Sequence, residues 1–153
     1  MAVLSDAQQQ IIARFPLGCV GTVSPKGAPM VSPKGTFLVL DPGRIAFGNI
    51  RSPQTVSNLR HAPACEVVFV DPFARKGVRV AGKADILTQA DAGHMALFPR
   101  WRDTWGDLAE RISALVVITI TEVGDVTTPP YDDGVSEMDM VAIYKAKYAE
   151  YYP

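Results

Sequence analysis

From Val20 to Leu87 each apolar run is separated from the next by a few residues or by one short helical segment. The short links are built from Pro, Gly, Asp and Ser: Ser24-Pro25-Lys26-Gly27, Asp41-Pro42-Gly43 and Asp71-Pro72. This spacing constrains the fold more than any other feature. Parallel strands need a crossover of about a dozen residues or more, whereas antiparallel strands close over a two-residue turn. An antiparallel meander is therefore predicted, and a doubly wound parallel sheet is excluded.

In chain order, Ser5 caps a helix, Gln8 completes a capping-box pattern, Ile11, Ile12 and Phe15 supply an apolar stripe, and Pro16 ends it. Val20–Val23 is predicted as a strand, with Met30–Leu40 as its hairpin partner across Ser24–Gly27. Pro33 interrupts that partner; a residue without an N–H marks an edge, a bulge or a place where the ladder opens toward a ligand. Arg44–Gly48 is the third strand. Ser52 stands at an N-cap with Pro53 in the first helical position, predicting a short helix to about Arg60, closed by Pro63. Ala64–Val70 and Gly77–Leu87 read as two more strands, the second with Val78 and Val80 inward. Residues 88–110 change to helical spacing, with Met95, Leu97, Phe98, Trp101, Trp105 and Leu108 as the apolar set and a break at Pro99. Ser113–Val123 is the last long strand. A loop over 127–134 follows, then a helix from Ser136 striped by Met138, Val141, Tyr144 and Tyr148.

The fold class is thus mainly β (α+β), with six antiparallel strands forming a small closed or nearly closed barrel flanked by short helices. Side chains fill so small a barrel, which places any ligand outside it or at a subunit interface. With 153 residues, 48% of them apolar, the chain is long enough for one domain over 1–153, with a core at 17–123 and a C-terminal loop and helix at 124–153. Cys19 and Cys65 sit in apolar runs without metal-ligand spacing, which suits a reduced, cytoplasmic protein. Leu115–Ile120 is far shorter than the ~20 residues of a spanning helix, so a soluble chain is expected. His61 and His94 are expected at the surface near helix ends, and no catalytic side chain and no metal ligand set is assigned.

The net charge is −1, yet residues 26–83 carry nine bases (Lys26, Lys34, Arg44, Arg51, Arg60, Arg75, Lys76, Arg79, Lys83) against three acids (Asp41, Glu66, Asp71). A positive segment in a neutral protein fits a small anionic ligand or an acidic partner surface better than long nucleic acid; a solvated basic face paired with the acidic C-terminal half is the other reading. Binding of single strands would need aromatic residues among the basic ones, and Phe37, Phe47 and Phe69 are placed in strand cores instead. No nucleic-acid or membrane partner is expected.

Two polar stretches stand out, Ala28–Gly35 and Gly48–Thr55. Five features occur in order between Leu17 and Leu87: the hairpin Gly21–Pro29, the following Met30–Gly35, the turn Phe47–Thr55 into Asn58-Leu59-Arg60, the strand Ala62–Phe69, and Val78–Ala84. On these the sequence resembles the pyridoxamine 5′-phosphate oxidase-like family of FMN-binding split barrels. The resemblance implies a homodimer with an FMN at each of two sites in the subunit interface, acting as an oxidoreductase on a small substrate or electron donor. It places Met30, Val31 and Ser32 along the flavin ring, Lys34 as the basic residue beside it, and Gly48 and Asn49 at the end of the next strand. Ser52, Gln54 and Thr55, with Arg51, fall where the family binds the phosphate at a helix start, which free N–H groups and the helix dipole favour in any case. Pro29, Pro53 and Gln54 stand where relatives of the oxidase tend to carry basic residues, and Gly77 where a polar side chain tends to reach across the dimer. These departures argue against pyridoxamine phosphate as substrate. A non-catalytic flavin-, haem- or deazaflavin-binding module of the same fold is the alternative implied.

Overall fold

The computed structural model describes residues 2–153. Helix α1 (Asp6–Arg14) opens with the predicted capping box: Gln8 N–H donates to Ser5 Oγ at 3.2 Å and Ser5 N–H to Gln8 Oε1 at 2.9 Å. Seven strands follow rather than six: β1 (Gly18–Val23), β2 (Pro29–Lys34), β3 (Phe37–Asp41), β4 (Arg44–Asn49), β5 (Ala64–Asp71), β6 (Lys76–Thr88) and β7 (Ala114–Val126). They form one sheet in the order β2-β1-β5-β6-β7-β4-β3, and every neighbouring pair is antiparallel.

The extra strand comes from residues 30–40, expected as one strand. The segment breaks at Gly35-Thr36, and its halves pair with different partners: Lys34 opposite Gly18 of β1, Phe37 opposite Phe47 of β4. Consecutive in sequence, β2 and β3 thus become the two free edges of the sheet. The sheet nonetheless curls on itself, since the Phe37 N–H reaches the Pro16 carbonyl at 3.4 Å and the Phe37 ring meets Phe69 edge-on at 4.8 Å. Glycine permits that closure: a Cβ on Gly18 would lie 2.6 Å from Phe37 and 2.7 Å from Phe69. Inside, Val20, Phe37, Ile45, Phe47, Val67, Phe69, Val78 and Ile118 form the main core, joined by Leu4 and by Ile12 of α1.

Helix α2 is Pro53–His61. Helix α3 (Ala92–Trp105) starts later than predicted, because β6 runs on to Thr88 and the Asp91 carboxylate caps the Thr88 N–H at 2.7 Å. It also runs unbroken through Pro99. A proline inside a helix costs about 3 kcal/mol, and tertiary contacts of the next two residues offset it: Arg100 donates to the Val39 carbonyl at 2.8 Å, and the buried Trp101 donates to the Thr36 carbonyl at 2.8 Å. A 3-10 turn over Gly106–Arg111 completes this layer, which covers the outer face of β4 and β7 through Trp101, Ala109 and Ile112.

Three expectations for these helices are corrected. His94 is buried and stacked on Phe98 (5.4 Å, 13°) and Met95 is exposed, because α3 turns its His94–Trp101 side inward; Leu108, on the 3-10 turn after it, is exposed while Ala109 is buried. In helix α4 (Glu137–Ala149), Ser136 stands just outside as the N-cap, its Oγ accepting from the Asp139 N–H; Met140 is buried and Met138 faces solvent. That helix is oriented by Arg75, whose guanidinium lies 3.8 Å over the Tyr144 ring and donates to Tyr148 Oη at 3.1 Å. No helix among the described residues is long and apolar enough to cross a membrane.

Candidate functional site

Along β2 the side chains alternate, with Pro29, Val31 and Pro33 outward and Met30, Ser32 and Lys34 inward. Lys34 is 7% exposed. Its ammonium donates to Ser32 Oγ at 2.6 Å and to Ser52 Oγ, and among the described residues no carboxylate pairs with it. Burial without a counter-ion pulls its pKa below the ordinary lysine value. The two polar stretches, 18 residues apart at these positions, therefore meet at one ammonium.

Ser52 occupies the N-cap of α2, as predicted, but its hydroxyl accepts from Lys34 and caps nothing. Pro53 has no N–H to satisfy, and the Gln54 and Thr55 amides that follow it have no carbonyl a turn earlier in the helix to accept them. A positive helix end and a buried ammonium thus face the same hydroxyl. Asn49, 8% exposed at the end of β4, donates to Ser113 Oγ at 3.2 Å, while its own Oδ1 is buried without any donor. Buried acceptors are nearly always satisfied, so this atom calls for a ligand N–H or O–H, or a water.

The remaining candidates are arranged differently. Arg51 is exposed and forms no ion pair among the described residues. Val31 points away from Lys34 and is 71% exposed. Gly48 is a packing position: Thr36 Oγ1 bonds its N–H (3.0 Å) and its carbonyl (2.8 Å), and a Cβ there would lie 2.4 Å from Ile112. Met30 and Gln54 both turn toward Asn58, and Thr55 is buried.

Asn58 is a site residue that sequence reasoning passed over. Fully buried, it donates to Thr22 Oγ1 at 3.0 Å and contacts Met30 Sδ at 3.3 Å, and its Oδ1 accepts from Gln54 at 2.9 Å. It fastens α2, and so the amides at its start, to β1 and β2. The available signal was an amide set between Val56 and Leu59 on the helix's buried face. Asn58→Ala should destabilise the protein by about 2 kcal/mol in a urea titration, since a buried hydroxyl and a helix contact lose their partner together.

No group of three metal-ligating side chains exists among the described residues. Burial pushes the Cys65 thiol up to about 11, which makes it unreactive at neutral pH. Two sizeable cavities lie elsewhere: one of about 480 Å³ between α1, β3 and Trp105, and one of about 640 Å³ between α1, α4 and Lys76. None of the residues gathered around Lys34 lines either of them.

A search of curated proteins finds no match to the chain. Among solved structures, HupZ from Group A Streptococcus superposes with a TM-score of 0.71 at 23% identity, covering 82% of this chain and 95% of that one. A Lactobacillus delbrueckii protein assigned to the pyridoxamine 5′-phosphate oxidases gives 0.66 at 23% identity, over 80% and 93%. An FMN-binding protein from Syntrophomonas wolfei gives 0.66 at 13% identity, over 82% and 86%. At these identities the likeness shows a shared fold. The family model described as pyridoxamine 5′-phosphate oxidase matches residues 4–126, which spans all seven strands and the residues around Lys34. By that match the chain belongs to the pyridoxamine 5′-phosphate oxidase family.

Proposed function

We propose that this protein binds flavin mononucleotide and acts as an oxidoreductase on a small substrate, as a homodimer with the flavin at the subunit interface. One observation carries the reading: a buried lysine that has two serine hydroxyls and an uncapped helix start around it, and no carboxylate. A buried ammonium is costly unless an anion joins it, and a phosphate monoester supplies that anion where helix amides also converge.

In this reading Lys34 and the Gln54 and Thr55 amides hold the phosphate, with Ser32 and Ser52 orienting the ammonium. Arg51 adds positive charge at the rim. Asn49 Oδ1 accepts from a hydroxyl or ring N–H of the ligand, and the strand from Met30 to Ser32 lies along the ring. The bound flavin supplies the hydride or electron transfer; the chain's residues position it, and none is assigned an acid or base role.

Concentrated protein should be yellow, and heating should release FMN. A colourless preparation that takes up no added FMN, or one that releases haem or another chromophore, refutes the reading. Affinity should also depend on pH. Because the Lys34 pKa is lowered, its charge is lost on the alkaline side earlier than that of an ordinary lysine. FMN affinity should fall across that range in a fluorescence titration, and Lys34→Arg should flatten the fall. The stability of the flavin-free protein should move the opposite way. Between the lowered folded pKa and the unfolded value of 10.5, the unfolded chain binds more protons, so stability rises with pH through that window.

A further inference from the structure

At the end of β4 the Asn49 side chain is held from one end only. The Ser113 N–H donates to the Asn49 carbonyl at 2.8 Å, and the Ser113 hydroxyl donates to the same carbonyl at 3.0 Å. The hydroxyl oxygen accepts in turn from Asn49 Nδ2 at 3.2 Å. A serine hydroxyl has one proton and two lone pairs. With the proton committed to the carbonyl, Ser113 Oγ offers only lone pairs, so the end of the amide that faces it has to be the donor. An asparagine amide turned over exchanges its acceptor for two donors at almost the same place. Here that choice is made: the NH2 group is kept against Ser113, and Oδ1 is turned away from it, buried and without a donor among the described residues.

Ser113 lies 64 residues from Asn49, outside both polar stretches. It reaches the amide because β7 pairs with β4 and sets Ala114 opposite Asn49. The residue before it is fixed as well, since Ile112 is buried and its N–H donates to the Ala109 carbonyl at 3.0 Å. Packed backbone therefore holds the serine on both sides.

We propose that Ser113 is a positioning residue: it fixes the Asn49 amide so that the site presents an acceptor alone, and it thereby selects a ligand that brings an N–H or O–H to that point. The inference rests on the flavin reading above, in which two groups supply such a donor, the ring N–H and the hydroxyls of the chain between ring and phosphate. A ligand with an acceptor there sets lone pair against lone pair. One with neither group leaves Oδ1 unpaired in the complex, and both are disfavoured against a donor. Because Ser113 makes the choice before any ligand arrives, the amide has no rotation left to lose on binding.

The test is a double-mutant cycle read by flavin fluorescence, with Asn49→Ala, Ser113→Ala, the double variant and Ser113→Thr as the proteins and a thermal melt as the check on folding. Ser113→Ala keeps the backbone bond to the Asn49 carbonyl, so the strand end survives it. The ligands are FMN, FMN methylated on the ring N–H nitrogen, and an FMN whose chain hydroxyls are replaced by hydrogen. Wild type should bind one of the two analogues about tenfold more weakly than FMN, which tells ring from chain as the source of the donor, and Asn49→Ala should erase that difference. Ser113→Ala should weaken FMN about fivefold where Asn49 is present and not at all in the Asn49→Ala background, because the serine acts only through the amide. Ser113→Thr, which keeps the hydroxyl, should retain wild-type affinity. Equal costs of Ser113→Ala in the two backgrounds make the serine a mere brace and overturn the inference. So does a wild type that binds FMN and both analogues alike. A wild type that binds none of the three removes the flavin reading, and the inference falls with it.

Discussion

Replacing Lys34 with methionine should weaken FMN binding by about a hundredfold or more and leave the flavin-free protein as stable as before, or more so. The two effects have one cause. The ammonium is buried, bonded to the Ser32 and Ser52 hydroxyls and paired with no carboxylate, so in the empty protein it is an uncompensated charge whose removal relieves a desolvation cost. With a phosphate beside it, the same charge makes a charge-assisted contact worth about 1.5–3 kcal/mol, more in a site shielded from water. Methionine preserves the length of the side chain, which keeps the β2 packing intact. Calorimetric titration with FMN and a thermal melt together decide the matter. Unchanged affinity removes Lys34 from the site, whereas a large loss of stability makes it a structural residue.

Replacing Gly77 with alanine should destabilise the protein by about 3 kcal/mol or more, one of the largest effects of any single methyl group in this chain. A Cβ there would lie 2.2 Å from the Phe69 carbonyl oxygen, with the Phe69 carbonyl carbon at 3.2 Å and Val70 Cα at 3.3 Å. All of these are backbone atoms of the neighbouring strand, paired with β6 from Ala64 to Asp71, so relief requires moving the ladder itself. A urea denaturation curve measures the loss; a change below about 1 kcal/mol would show that β5 and β6 separate easily at this point. The position bears on function too. Where the family resemblance leads one to look for a polar side chain reaching a partner subunit, this chain has no room for any side chain at all.

How legible each part was in the sequence follows from the range of the interaction involved. The α1 capping box and the Pro53 helix start involve residues within four of each other, and each was readable from residue order, as was the start of the last helix at about Ser136. Strand parity on β6, with Val78 and Val80 inward, was likewise readable because alternation repeats every two residues. The division of residues 30–40 was hidden, since the apolar pattern continues across Gly35-Thr36 and only the choice of pairing partner separates β2 from β3. Pro99 misled for a similar reason: its local penalty is real, and Arg100 and Trp101 outweigh it through atoms more than sixty residues away. His94 and Met138 were placed on the wrong side of the surface because a helical stripe gives a face but not its rotation about the neighbouring sheet.

By itself the sequence determined the antiparallel sheet, because links of a few residues cannot make crossovers, and it determined which short polar stretches the chain holds in reserve. It also carried the family, through ordered motifs from Leu17 to Leu87 that lie within the matched residues 4–126. Only the tertiary structure decided what those stretches are to each other. Lys34 ends β2 and Ser52 stands at the N-cap of α2, and they meet although the sheet sets β2 and β4, the strand before that helix, far apart in its order. The Ser52 hydroxyl left its cap for the lysine, and Asn58 locked the helix start in place from behind. Burial and charge act through distance in space, so a lysine that reads as an ordinary strand residue in the sequence becomes, once the sheet curls, an unpaired cation at the open end of a helix.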